Sequence, residues 1–169
     1  ASGNLPPLGR VGVRFDIRWD LVRPPGKGGI RAVGLDEDPE VMALRVYPGM
    51  HAGLLERILG HGVQGVVLET YGTGTFPSAD TELVRVLEQA SARGVVLVNC
   101  SQCHSGYVRQ ELYGTGRALA DAGVISGRDM TPEAALTKLY CVLGSGRTPE
   151  QTRARMDADL AGEISARPT

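Results

Sequence analysis

Aromatic residues are scarce in this chain of 169 residues, with two Phe, one Trp and five Tyr. Long apolar runs are missing too: none nears the roughly 18 residues that cross a bilayer. The opening ASGNLPPLGR lacks the apolar stretch of a signal peptide. A cytoplasmic protein with no membrane partner is therefore expected. Charge of one sign is also lacking. The formal net charge is −1 and the pI about 6.4, which excludes a broad electrostatic grip on nucleic acid or anionic lipid. Cysteine is limited to three residues, an odd, low number with no disulfide framework, as in a reducing compartment. Lysine is limited to Lys27 and Lys138. What the chain does have is 42% hydrophobic residues and 23 glycines, enough for one compact core with many tight turns.

Residues 1–40 differ from the rest. NLPPLGRVGV and RPPGKGG are dense in Pro and Gly, LDEDPE adds a Pro, and VGVRFDIRWDLV alternates like an exposed strand. They read as a linker with an irregular strand or two. From residue 41 strands and helices alternate. VMALRVYPG is a strand stopped by Pro48-Gly49, and HAGLLERILGHG is a helix with Leu54, Leu55, Ile58 and Leu59 on one face. His51 and His61 flank that helix as surface residues. GVVLETYG is a second strand, and SADTELVRVLEQASARG a helix with Leu83, Val86, Leu87 and Ala90 at i, i+3, i+4, i+7. GVVLVNC is apolar on both faces, as a central parallel strand is. A helix with Ala118, Leu119 and Ala122 inward follows, then VISG as a short strand or turn. Thr131 with Pro132, and Thr148 with Gln151, open two last helices. This order predicts an α/β fold with a parallel sheet and right-handed crossovers. Ligands then belong beyond the C-terminal strand ends, at ETYGTGT and NCSQCHSG.

NCSQCHSG contains C-x-x-C-H, the spacing that attaches a c-type haem. The motif here leaves a hydrophobic strand, where small helical haem domains do not place it. Thiol-redox chemistry needs a thiol exposed at a helix start, yet Cys100 alternates with Val98 into the sheet packing. Zinc needs four ligands, and Cys100, Cys103 and His104 are three. The simpler reading is a buried Cys100 and a loop thiol at Cys103, with no cofactor and no metal. Gly72 with Gly74, and Gly114 with Gly116, read as tight turns before they read as anion cradles.

NLPPL, RVYPG, GVVLETYGTGTFP, RGVVLVNCSQCHSG, YGTGRALADAGVISGRDMTPEAALTKL and DLAGEI, taken in order, resemble the C-terminal part of type I (cytosolic-type) L-asparaginases. The most specific blocks are VN-x-S/T-Q-C and AGVI-x-G-x-DMT-x-EAAL-x-KL, and the resemblance covers essentially the whole chain. It implies a small flavodoxin-like three-layer domain, and hydrolysis of L-asparagine to L-aspartate and ammonia by the parent protein. It also implies that the nucleophilic threonines and a Lys–Asp partner lie in an N-terminal asparaginase domain, with residues 1–36 as the connector from it and 37–169 as the C-terminal domain. Neither TGGT nor HGTDT occurs here, so no catalytic residue is expected in this chain.

The same resemblance implies substrate- or effector-proximal roles for Glu69, Thr70, Tyr71, Gly74, Thr75 and Cys103, a homo-oligomer, and an allosteric L-asparagine site. Relatives commonly carry Arg where this chain has Glu69, and Asn where it has Thr75. A guanidinium binds an effector carboxylate bidentately, whereas Glu69 repels it and suits an α-ammonium or an Arg. The competing reading is a stand-alone amino-acid-binding or scaffolding module of the same fold.

Overall fold

The computed structural model describes residues 3–165, apart from 27, 29–31, 33, 61 and 111–113. His61 and Lys27 thus lie outside the described residues. The chain starts with a two-stranded antiparallel hairpin, β1 (Gly9–Val11) and β2 (Phe15–Ile17), exposed along its whole length. A 3-10 turn over Trp19–Leu21 follows. The alternation of VGVRFDI thus yields two short strands paired with each other rather than with the main sheet.

The main sheet holds β3 (Val41–Arg45), β4 (Gly65–Thr70), β5 (Val96–Ser101) and β6 (Ile125–Ser126), all parallel and in sequence order. The crossovers carry α1 (Ala52–Leu59), α2 (Thr81–Ala92) and α3 (Gly114–Asp121). Right-handed crossovers that always step the same way leave their helices on one face. Leu55, Leu59, Leu83, Leu87 and Leu119 accordingly pack with Val66, Leu68 and Leu97. The opposite face takes the intervening strand residues Val67, Val96, Val98 and Cys100. It is covered by α4 (Pro132–Leu143) and α5 (Pro149–Asp157), through Ala135, Leu139, Leu143 and Met156. The period-two side-chain alternation of β4 and β5 therefore feeds two cores, which gives three layers. Of the α1 face read from the sequence, Leu55 and Leu59 are buried and Ile58 is half-buried, while Leu54 turns outward.

The starts of α4 and α5 are capped as expected. Thr131 Oγ1 accepts from Ala134 N–H, and Thr148 with Gln151 closes a reciprocal capping box. Asp80 caps α2, accepting from Glu82 and Leu83 N–H. The end of the connector is fixed at the far end of α4. The N–H groups of Asp36 and Glu37 both donate to Gly144 C=O, at 2.7 and 3.1 Å. Tyr140 Oη donates to Asp38 Oδ1 at 2.6 Å. The expected boundary at 36/37 therefore falls between two residues that share one carbonyl. The DLAGEI tail is held from inside: the buried Lys138 ammonium lies 2.7 Å from Glu163 Oε1 and donates to Met156 and Ala158 C=O.

Candidate functional site

The C-terminal ends of β4 and β5 lie side by side, Glu69 opposite Cys100 and Thr70 opposite Ser101. The loops that leave them are stitched together by buried polar groups. Thr70 Oγ1 donates to Asn99 Oδ1 at 2.6 Å, and Asn99 Nδ2 donates to Gly74 C=O at 3.2 Å. Ser101 Oγ donates to Gly72 C=O at 2.6 Å and accepts from Cys103 N–H at 3.1 Å. Gly74 has φ +100°, and a Cβ there would come within 2.6 Å of Val108 Cγ1. No other residue fits that turn without displacing a neighbour. The turn closes on itself, with Gly74 and Thr75 N–H both donating to Tyr71 C=O. Those two amides are engaged within the turn, as a tight turn requires and an anion cradle does not.

This arrangement divides the six predicted residues three ways. Thr70 and Gly74 are interior struts of the loop pair. Glu69 and Cys103 open on a cleft of about 590 Å³, bounded by Arg45, Gln102, His104 and the start of α4 at Thr131–Glu133. Tyr71 and Thr75 open on a second cleft of about 490 Å³, with Met50, His51 and Asp80. Tyr71 Oη is buried there without a hydrogen-bond partner among the described residues.

Arg45 is the residue that sequence reading missed. It ends β3 in register with Glu69, and its Nε and Nη2 both donate to Glu69 Oε2, at 3.0 and 2.8 Å. The Glu69 side chain is 15% exposed and that of Arg45 65%. Its signal was the position: the last residue of a strand beside the strand that carries Glu69. Asn4, at the edge of the same cleft, was also missed as a contact residue. Beside Glu69 in the sheet register, burial first, then the charges of Glu69 and Glu133, push the Cys100 thiol up to about 12. Cys100 is thus a buried neutral thiol and Cys103 an exposed one. The half-exposed loop between them and α3 carries Arg109 stacked 4.4 Å over the Tyr107 ring.

The profile of the glutaminase/asparaginase C-terminal domain matches residues 40–156. The chain belongs to this family. The asparaginase-type domain is 38% identical to L-asparaginase 1 of Escherichia coli K12, over 98% of this chain and 48% of the relative. It is 43% identical to the human 60 kDa lysophospholipase, over 97% of this chain and 28% of the relative. The solved L-asparaginase I of Vibrio cholerae superposes with a TM-score of 0.89 at 38% identity, over 98% of this chain and 50% of that one. The chain thus spans about half the length of these L-asparaginases and less than a third of the human protein.

The α/β three-layer fold and the family expected from NLPPL through DLAGEI are both found. The domain's buried Lys138 is committed to α5 and the tail, on the face of the sheet away from α1–α3.

Proposed function

We propose that this domain is the C-terminal part of an L-asparaginase-type amidohydrolase, which hydrolyses L-asparagine to L-aspartate and ammonia. In this reading an N-terminal asparaginase domain supplies the attacking hydroxyl and its Lys–Asp partner. These 169 residues supply a wall of the site and a subunit interface, without TGGT or HGTDT. The observation that carries it is the likeness to the Vibrio cholerae L-asparaginase I, which runs through 98% of the chain at a TM-score of 0.89. The human relative carries a different activity in its name, but this domain corresponds to only 28% of it.

Within the proposal, Tyr71 and Thr75 are substrate-proximal through the second cleft, with Thr70 and Gly74 setting the loop. Glu69 and Cys103 are effector-proximal. Arg45 neutralises Glu69 through Oε2 alone, and no described residue donates to Oε1. A free carboxylate oxygen of this kind suits the α-ammonium of L-asparagine. The parent protein is a cytoplasmic homo-oligomer in this reading and needs no cofactor.

The test is ammonia release from L-asparagine by the 169-residue chain and by the longer protein that includes the N-terminal domain. Turnover is expected from the longer protein alone. Comparable turnover by the isolated chain overturns the reading, as does hydrolysis of a lysophospholipid with none of asparagine. Tight calorimetric binding of asparagine, aspartate or glutamine by an isolated, monomeric chain would instead favour a stand-alone amino-acid-binding module.

A further inference from the structure

Gly3 and Asn4 of the connector are built into the rim of the Glu69–Cys103 cleft. Asn4 Oδ1 accepts from Gly106 N–H at 2.6 Å, in the loop that follows β5. Asn4 Nδ2 donates to Asp129 C=O at 3.0 Å, in the loop between β6 and α4. One side-chain amide thus bridges the two loops that carry Cys103 and His104 on one side and Thr131 on the other. Gly3 lies against the same rim so closely that a Cβ would sit 2.0 Å from His104 C=O. Both Gly3 and Asn4 line the cleft. The carboxylate of Asp129 in turn accepts from Ser165 N–H, at 3.1 and 3.3 Å, so the same loop also holds the tail.

An amide held at both ends orders three segments at once: the connector, the β5 exit loop and the β6–α4 loop. Separately these are irregular loops, the least stable parts of a fold. We infer that Asn4 is a positioning residue that makes connector docking and cleft order one cooperative step. Whatever fills the cleft then stabilises the docked connector, and docking tightens the cleft, by the same factor in both directions. Gly3 and Asn4 are thereby coupled to occupancy of the cleft, although α4 lies more than a hundred residues further along the chain. This coupling is independent of the ligand; its use in regulation rests on the effector reading proposed above.

The experiment compares the protein with its Asn4→Ala and Gly3→Ala variants, which break the staple by different means, in a Cys141→Ser background. The readouts are amide exchange and the rate of thiol labelling at Cys103, the exposed cysteine of the rim. Both variants are expected to exchange roughly tenfold faster over residues 3–8, 102–106 and 128–131 together, with α2 unchanged. Cys103 labelling rises severalfold with them. Asn4→Asp, which keeps the acceptor for Gly106, is expected to fall between. Faster exchange confined to residues 3–8, or rim exchange equal to the parent's, overturns the coupling. L-Asparagine is then titrated as the probe. If it binds, affinity is expected to weaken by the factor that Asn4→Ala removes from docking, and an unchanged affinity overturns the inference. If it binds neither protein, the effector reading falls and the exchange data alone decide the coupling.

Discussion

Glu163 shows how one side chain can hold a tail. Burial opposes its charge, but the Lys138 ammonium and the N–H groups of Leu160 and Ala161 outweigh burial and hold the carboxyl at about 2, against an ordinary 4.5. The unfolded chain binds a proton here at a higher pH than the folded one. The stabilisation is therefore complete above about pH 4.5 and fades as pH falls towards 2. Glu163→Gln is expected to lose on the order of 1.5–3 kcal/mol near neutral pH, the range for hydrogen bonds to charged groups. Its deficit should shrink steadily in acid, as read from urea midpoints at several pH values. A deficit that stays constant down to acid would show that the carboxylate is not the source. Through the same residue, Lys138 of the KL block clamps the DLAGEI block.

Among the elements, α5 depends most on its ends. Of its nine residues only Thr152 and Met156 are buried, so little packing secures its first turn. The capping box therefore matters more than it would in α4, which buries Ala135, Leu139, Val142 and Leu143. Thr148→Ala is expected to cost about 1 kcal/mol in denaturant unfolding. Exchange should rise at the first turn of α5 and not in α4. The elements were legible where the pattern was strong. The i, i+3, i+4, i+7 spacing of Leu83, Val86, Leu87 and Ala90 predicted α2, and all four are buried. The face expected for α1 also included Leu54, but the buried stripe runs through Leu55 and Leu59 and leaves Leu54 at its exposed edge. The hairpin of the connector was legible as alternation, whereas its partner was not, since a period of two does not say which strand pairs with which.

At the scale of the whole molecule, the connector leaves large apolar side chains uncovered: Val11 is 82% exposed, Phe15 79% and Trp19 71%. Such a patch associates with other surfaces when it has no covering segment. The 169-residue chain is expected to form a dimer at micromolar concentration in light scattering, and Phe15→Ser with Trp19→Ser to shift it towards monomer. A strict monomer over a wide concentration range would sink this prediction. No helix among the described residues is long and apolar enough to cross a membrane.

By itself the sequence determined the alternation of strands and helices around a parallel sheet, the starts of α4 and α5, and the burial of Cys100. Those follow from local periodicity and capping, which act within a few residues. Only the tertiary structure decided that the six candidate residues divide between two clefts and a buried strut, that Arg45 meets Glu69, and that Asn4 closes the rim from 102 residues away. Contacts of that kind depend on strand register and on how the helices stack, and neither is encoded within a few neighbouring residues.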